Sequence, residues 1–422
     1  MTDRFDANDP SAPPADGRRR RLLQALGAMS VTGLPAFANA QSTASVNTTK
    51  LAVTDTEVTV GQLHSSTGTM AISETGAIQA EQLAIDQINA MGGILGRKIK
   101  VISLDDGFSP PRTVEQTRRL VEQDEVAAIF LQLGTACATS TRKYLNAKKI
   151  PQIFIASGAS QFGDNANFPW SIGWQPSYRI ESAIYAKYIL ANKPDAKIAV
   201  LFQNDDSGKD YSKGFRDGMG DQAGRIVATV SYEVTDATID SQISQLRDSG
   251  ANTFFAHAVP KFQAMAVRKT YDLDWHPLYI MTNVSSSVSS GINPAGAEKA
   301  IGHLTAAYMK DPTDPGWAED AGYKDWRVFM RDYLPQGDIG DINNVYGYCA
   351  AQTLVPVLQQ CGEDLSRDNI MKQAANLDIQ LPMFQDGIRF KTTATDYYGI
   401  KQLRMQRFDG RGWRPFGGPL SA

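Results

Sequence analysis

From Glu57 onward, short runs of β-branched and apolar residues alternate with longer segments of helical period, and the whole alternation occurs twice in succession. In the first series, strand-like runs at 57–63, 98–104, 126–131 and 152–155 are separated by helical runs at 74–90, 113–123 and 139–146. Gly92-Gly93 closes the first of these helices. Pro110-Pro111 opens the second, because proline is tolerated in a first turn. In the second series, helices at 179–191, 211–219, 240–249 and 261–271 interleave with strands at 197–202, 225–234, 253–257 and 278–281. Parallel strands need a crossover segment, usually a helix, so each series predicts a parallel sheet covered on both faces. The chain is therefore expected to be α/β, with two similar doubly wound lobes in tandem.

The remainder is too short in alternating elements for a third domain. A strand-like run at 304–309 and helices at 323–333, 345–360 and 367–376 precede a stretch at 387–416. That stretch alternates aromatic and polar residues and carries the turn signals Asp409-Gly410 and Arg411-Gly412, typical of antiparallel strands. A chain that leaves one lobe, builds a second and returns has a multi-strand hinge. Crossovers are expected near 173–177, near 305–307 and between 382 and 387. The lobes become 41–173 plus 305–385, and 174–304 plus 386–422.

Residues 1–40 form a separate segment. Arg18, Arg19, Arg20 and Arg21 precede LLQALGAMSVTGLPAFANA, a mildly apolar run closing on the small-x-small pattern Ala38-Asn39-Ala40. Arg19-Arg20 followed by Arg21-Leu22-Leu23-Gln24 resembles a twin-arginine export signal. The run is interrupted by Gln24, Ser30, Gly33 and Pro35 and falls short of the roughly 20 apolar residues a membrane span needs. Export to the periplasm with cleavage near Ala40 is expected, without stable membrane insertion. The chain beyond Ala40 has about 380 residues, enough for two domains with sizeable cores. The formal net charge is −3, from 42 basic and 45 acidic residues, and loss of the arginine cluster leaves the rest more acidic. There is no basic stripe of the kind nucleic acid requires.

Three cysteines do not make a disulfide framework. Cys349 and Cys361 fall in one expected helix, about 18 Å apart along its axis and beyond disulfide reach. Cys137 has no histidine near it in sequence. His64, His257, His276 and His303 are scattered, with no metal-ligand spacing. These seven residues are read as structural as regards metals and disulfides, and no cofactor is implied.

Three loops of the first series are rich in glycine and small hydroxyl residues: Ser65-Ser66-Thr67-Gly68, Gly134-Thr135-Ala136 and Ser157-Gly158-Ala159-Ser160. Each follows an expected strand and lies near a helix start. Small ligands bind between domains and at the carboxyl ends of parallel strands. Backbone N–H groups and hydroxyls there can hold a carboxylate without a fixed positive charge. Any one such loop alone reads better as a set of helix caps and turns; three at equivalent places on one sheet point to a site.

Several strings also carry a family resemblance. HSSTGTMAISETG (64–76), AIDQINAMGGILGRKIKVISLDD (84–106), SPPRTVEQTRRLVEQDEV, LQLGTACATSTRKYLNAKKIPQIFIASGAS, NDDSGKDYSKGF and VYGYCAAQTLVPVL occur in this order. Together they resemble the type I periplasmic solute-binding proteins of ABC transporters, the Leu/Ile/Val-binding protein and its relatives. GTMAISE looks like the first loop of urea- and amide-binding members. The longer match, through GWQPSYRIE to AAYMKDPTDPGW, is similar to members linked to aromatic carboxylates. The resemblance implies a protein that closes on a small carboxylate and hands it to permease subunits. Aromatic acid, branched-chain amino acid and short amide are the candidate ligands.

By the same resemblance, Thr135 and the loop Gly158, Ala159 and Ser160 receive the carboxylate, beside Gly134, while Ser66 and Thr67 close that end. Tyr211 aligns with a cleft tyrosine, and His257 and Asn283 stand where amino acid binders place side-chain recognition groups. Those binders carry an acid near the position of Asn283, but this chain has TNVSSSVSSG. The departure favours an acid or amide without a free amine. Trp170, Trp174 and Tyr178 near the first crossover are suited either to stacking on a ligand ring or to interlobe packing. A ligand sensor for a membrane receptor uses the same fold. An enzyme is disfavoured by the lack of G-x-S-x-G, phosphate-loop and zinc motifs. The paired acids Asp105-Asp106 and Asp205-Asp206 read as loop residues and helix caps.

Overall fold

The computed structural model describes residues 52–422, so the arginine-rich segment and its cleavage pattern lie outside the described residues. The first series builds a five-stranded sheet from β1 (Glu57–His64), β2 (Lys98–Asp105), β3 (Ile129–Phe130), β4 (Gln152–Ile155) and β5 (Ser171–Gly173). The spatial order is β2-β1-β3-β4-β5, and every pairing is parallel. The second series uses β6 (Ile198–Gln203), β7 (Ile226–Tyr232), β8 (Thr253–Ala256), β9 (Leu278–Met281) and β10 (Leu304–Ala307). Their order, β7-β6-β8-β9-β10, is the same topology repeated, again parallel throughout. In both sheets the first strand lies between the second and third. The connections leave it on opposite sides, and a crevice opens at the carboxyl ends of first and third strands.

Around the first sheet lie α1 (Ala71–Ala90), α2 (Pro110–Glu122) and α3 (Thr135–Ala147); around the second, α4 (Tyr178–Asn192), α5 (Asp206–Met219), α6 (Asp240–Asp248) and α7 (Pro260–Asp272). The chain then returns with α8 (Ala321–Tyr333), α9 (Ile342–Cys361) and α10 (Arg367–Ala374). Helix α9 is buried along most of its length and packs on α1. The approach depends on Gly347, where a Cβ would come within 2.0 Å of the Ala77 carbonyl oxygen. Cys349 and Cys361 sit on this unbroken helix, and they and Cys137 are buried free thiols.

The two short strands β11 (Asp378–Ile379) and β12 (Phe390–Lys391) pair antiparallel, and Phe390 meets Phe154 of β4 edge-on at 5.5 Å. Antiparallel strands β13 (Gln402–Phe408), β14 (Trp413–Pro415) and β15 (Leu420–Ser421) then extend the second sheet beside β10. The strand pairings assign the segments around two of the expected crossovers. Leu304 pairs with Ile280 and the run 304–307 with β13, so this whole segment belongs to the second sheet and the chain leaves it after Ala307. Phe390 of β12 packs on Phe154 of β4, so the β11–β12 pair lies against the first sheet, and the chain next joins the second sheet at Gln402. The expected strand at 126–131 is regular only at Ile129–Phe130, since Leu131 turns into the left-handed region with φ 52°.

Trp174, at the first crossover, is fully buried. Its indole N–H donates to Thr353 Oγ1 at 2.9 Å. Its ring contacts Tyr346, Tyr308 and Phe384 edge-on at 4.8, 5.8 and 5.9 Å and stacks on Phe390 at 6.2 Å. One side chain thus binds together the first crossover, the segment following β10 and the α9 scaffold. Packing the first crossover onto the first lobe is its role here. Truncation of Trp174 to alanine is expected to cost about 3–5 kcal/mol of stability, read from denaturant unfolding. A loss below about 1 kcal/mol would show that the junction does not depend on this ring.

Candidate ligand-binding cleft

The carboxyl ends of the two sheets face each other across a cavity lined from both lobes and from the crossovers. Its volume, counted as the space open to the centre of a water molecule, is about 110 Å³. At about 10–15 Å³ per water-sized sphere, this suits a solute of roughly ten heavy atoms.

The first lobe contributes the N-terminal turn of α1 with Ser73 and Glu74, Phe108, and the start of α3 at Gly134 and Thr135. Gly134 has φ 87°, and a Cβ there would lie 2.5 Å from the Phe108 ring, so this entry to α3 requires glycine. Thr135 Oγ1 shares a 2.7 Å hydrogen bond with Ser157 Oγ. The second lobe contributes the loop from Gln203 to Ser207, then His257 and Asn283 just after β8 and β9. Asp205 caps α5 by accepting from Gly208 N at 3.0 Å, and it also accepts from Ser207 Oγ at 2.5 Å and Gln203 Nε2 at 2.6 Å. Tyr178, Tyr308 and Tyr346 bring rings to the wall from the crossovers and α9.

Of the residues expected from sequence, Gly134, Thr135, His257 and Asn283 line the cavity. The others lie outside its wall. Ser66 and Thr67 bind Asp105 instead, with Thr67 Oγ1 donating at 2.6 Å and Ser66 Oγ at 3.3 Å. Burial pushes the Asp105 carboxyl up, but the hydrogen bonds from Thr67, Gly107 and Ser66 outweigh it and hold it at about 2. Gly158 supports the first crossover, its carbonyl accepting from Tyr178 N at 2.8 Å. The neighbouring Ala159 N donates to Ser157 Oγ at 3.1 Å.

Ser160 reaches across to the second lobe. Its hydroxyl donates to Asp210 Oδ1 at 2.8 Å, its amide donates to Oδ2, and Arg179 Nε meets the same carboxylate at 2.7 Å. Tyr211 is one layer behind the wall, stacked on Tyr178 at 4.3 Å and on His257 at 4.2 Å, with its hydroxyl donating to Glu181 Oε2 at 2.8 Å. On α5 it is Ser207, a turn earlier, that faces the solute space.

Sequence reasoning missed Glu74, Asp205, Asp311 and Gln406, all on the wall. Among the described residues, no lysine or arginine lines this cavity, while three carboxyl groups do. Burial, reinforced by the nearby Asp106 charge, pushes Glu74 up to about 8, and its carboxyl has no hydrogen-bond or ion-pair partner among the described residues. Burial likewise raises Asp311 to about 6. His257 is driven down to about 4 by burial, so it is a neutral imidazole near pH 7, with Nε2 3.2 Å from Ser207 Oγ. Behind Asn283, burial lifts Glu181 to about 7 despite bonds from Asn283 N, Tyr185 and Tyr211. No group of three or more potential metal-ligating side chains gathers among the described residues, and none of their helices is long and apolar enough to cross a membrane.

The Ser160–Asp210–Arg179 cluster exists only while the lobes stay together. Asp210→Ala is expected to weaken solute affinity about tenfold, mainly through faster release, seen in stopped-flow displacement. An unchanged release rate would remove this cluster from the closing equilibrium.

A family model described as periplasmic binding protein matches residues 57–412. A Leu/Ile/Val-binding protein homolog 7 of Brucella abortus is 20% identical over 273 residues, covering 61% of this chain. The chain spans 65% of that relative's length. Homolog 8 of the same organism is 20% identical over 341 residues, 76% of this chain and 81% of its own length. Among solved structures, a branched-chain amino acid ABC transporter protein from Thermus thermophilus with bound valine superimposes with a TM-score of 0.78. It is 16% identical, with 88% of this chain and 98% of that one covered. A solute-binding protein of an ABC transporter from R. palustris, in complex with benzoate, gives 0.73 at 16% identity, covering 87% and 98%. At these identities the structural likeness establishes the two-lobed fold.

Proposed function

We propose the function from one premise: the chain belongs to the periplasmic binding protein family. It is the solute-binding component of an ABC uptake system, exported by its arginine-rich leader and cleaved near Ala40, and it delivers one small solute to permease subunits. The observation that carries this is the cavity held between the carboxyl ends of two like sheets, with both lobes tied across it. Such a protein trades an open for a closed form, and solute shifts that balance by its greater affinity for the closed one. The solute should be returned chemically unchanged.

Within the cavity, the first turn of α3 beside Gly134 takes a carboxylate, using the helix-start amides from Thr135 onward and the Thr135 hydroxyl, since the Gly134 amide itself donates to the Ala156 carbonyl at 3.2 Å. Thr135→Ala is expected to weaken binding by about 1–3 kcal/mol. Unchanged affinity in calorimetry removes Thr135 from the contact set. Thermal-shift screening against branched-chain and aromatic amino acids, aromatic acids and short amides identifies the solute class, since a ligand well above its Kd raises the melting temperature. No shift with any of these would refute the assignment to this solute range.

Two solute readings are supported by different observations. The unpartnered Glu74 and the absence of a lining cation favour a zwitterion whose ammonium meets Glu74. The tyrosine rings favour an aromatic acid, with Glu74 in its neutral form keeping its proton and donating a hydrogen bond to the anion. The sign of proton exchange separates them. Ligand-free Glu74, raised to about 8, is protonated at pH 7. An ammonium lowers its pKa and expels up to one proton at pH 7; an anion raises it and takes up a proton only above about pH 8. Calorimetry in buffers of different ionisation enthalpy should register the exchange, and Glu74→Gln should abolish it. Proton exchange that persists in that variant would assign it elsewhere.

A further inference from the structure

Gln406 lies on β13, opposite Thr305 of β10, and its side chain forms part of the cavity wall. The residue is 1% exposed, and its side-chain Nε2 is buried without any hydrogen-bond partner. Neither atom of the amide is matched by another described residue. The remaining polar side chains that the second lobe sends to the wall are all engaged. Gln203 and Ser207 both donate to Asp205, His257 meets Ser207, Asn283 Nδ2 donates to the Ala306 carbonyl at 3.2 Å, Ser286 Oγ to the Asn283 carbonyl and Ser287 Oγ to Asp341. Burying an amide without a partner is costly, whereas methionine or leucine at the same place would carry no such penalty. An unmatched amide in a binding cavity has a physical reason if the occupant supplies the missing partner.

We infer that Gln406 reads the end of the solute facing the second lobe, so the occupant carries a hydroxyl, carbonyl or amide there and not a bare hydrocarbon tail. This rests on the solute-binding reading above and narrows it. The first lobe takes one polar end at Gly134, Thr135 and Glu74, and the second lobe takes another at Gln406. A hydroxyl or primary amide on the solute satisfies either orientation of the glutamine amide, since both groups donate and accept.

The test compares wild type with Gln406→Met in two ways. Calorimetry uses two pairs of probes, L-leucine against L-glutamine and benzoate against 4-hydroxybenzoate, whose members differ in the distal polar group. Wild type is expected to favour the polar member of the pair it binds by about tenfold or more, and Gln406→Met to lose or reverse that preference. In parallel, the ligand-free melting temperature of Gln406→Met should equal or exceed that of wild type, because an unmet polar group has been removed. Equal or tighter wild-type binding of the apolar member overturns the inference, as does an unchanged ratio in the variant. A melting temperature several degrees lower in both Gln406→Met and Gln406→Leu also overturns it, by showing that the amide is structurally engaged. If none of the four probes binds, the aliphatic amino acid and benzoate-type readings fail, and the melting comparison alone decides whether Gln406 is unmatched.

Discussion

A parallel sheet in the order 2-1-3-4-5 cannot close its own carboxyl edge. Loops from its first and third strands diverge to opposite faces and leave polar backbone and helix starts around a gap. Here two such edges face each other. The cavity is therefore a consequence of repeated topology, and the side chains around it decide only what enters. The same topology brings strand ends and helix starts to the wall, and at the start of α3 the close approach of Phe108 leaves room only for Gly134.

Behind this polar wall stands a layer that fixes its shape. Tyr178, Tyr211 and His257 stack in sequence, and Glu181 collects the hydroxyls of Tyr185 and Tyr211 together with the Asn283 amide. Because Glu181 lies on α4, Tyr211 on α5 and Asn283 after β9, one buried carboxyl ties separate elements together and holds the wall residue Asn283 in place. Removing Tyr211 would disturb the wall through this layer without removing a direct contact.

Most of the architecture could be read from the chain because it rests on period. Alternating runs such as 57–63, 152–155 and 278–281 coincide with β1, β4 and β9 to within a residue. The crossovers were less visible, since Leu304–Ala307 and Phe390–Lys391 carry no local mark of which sheet they join; that is settled by long-range pairing. In the cleft, glycine and hydroxyl content located Gly134 and Thr135. It could not separate them from Ser66 and Thr67, whose composition is the same but whose groups are spent on Asp105. Tyr211 and Ser207 lie one helical turn apart, and the orientation of α5 selects Ser207. Glu74 reads as an ordinary acid on an amphipathic helix and Gln406 as a polar position in an alternating strand. Neither has a sequence signature, because what distinguishes them is a missing partner.

That missing partner bears on specificity. A cavity with a fixed lysine or arginine would select anions by charge alone and would hold them against release. This wall offers a neutral imidazole, a carboxyl group poised near physiological pH and an unmatched amide. Each can adjust to the solute by moving or keeping a proton, or by accepting or donating a hydrogen bond, and each leaves an unmet group behind when a poorly matched solute enters. Discrimination then comes from the cost of leaving buried polar groups unpaired, which rejects the wrong molecule more strongly than a hydrophobic pocket rejects one missing methylene. Since these groups are divided between the lobes, only a solute that satisfies both ends gains the full benefit of closure.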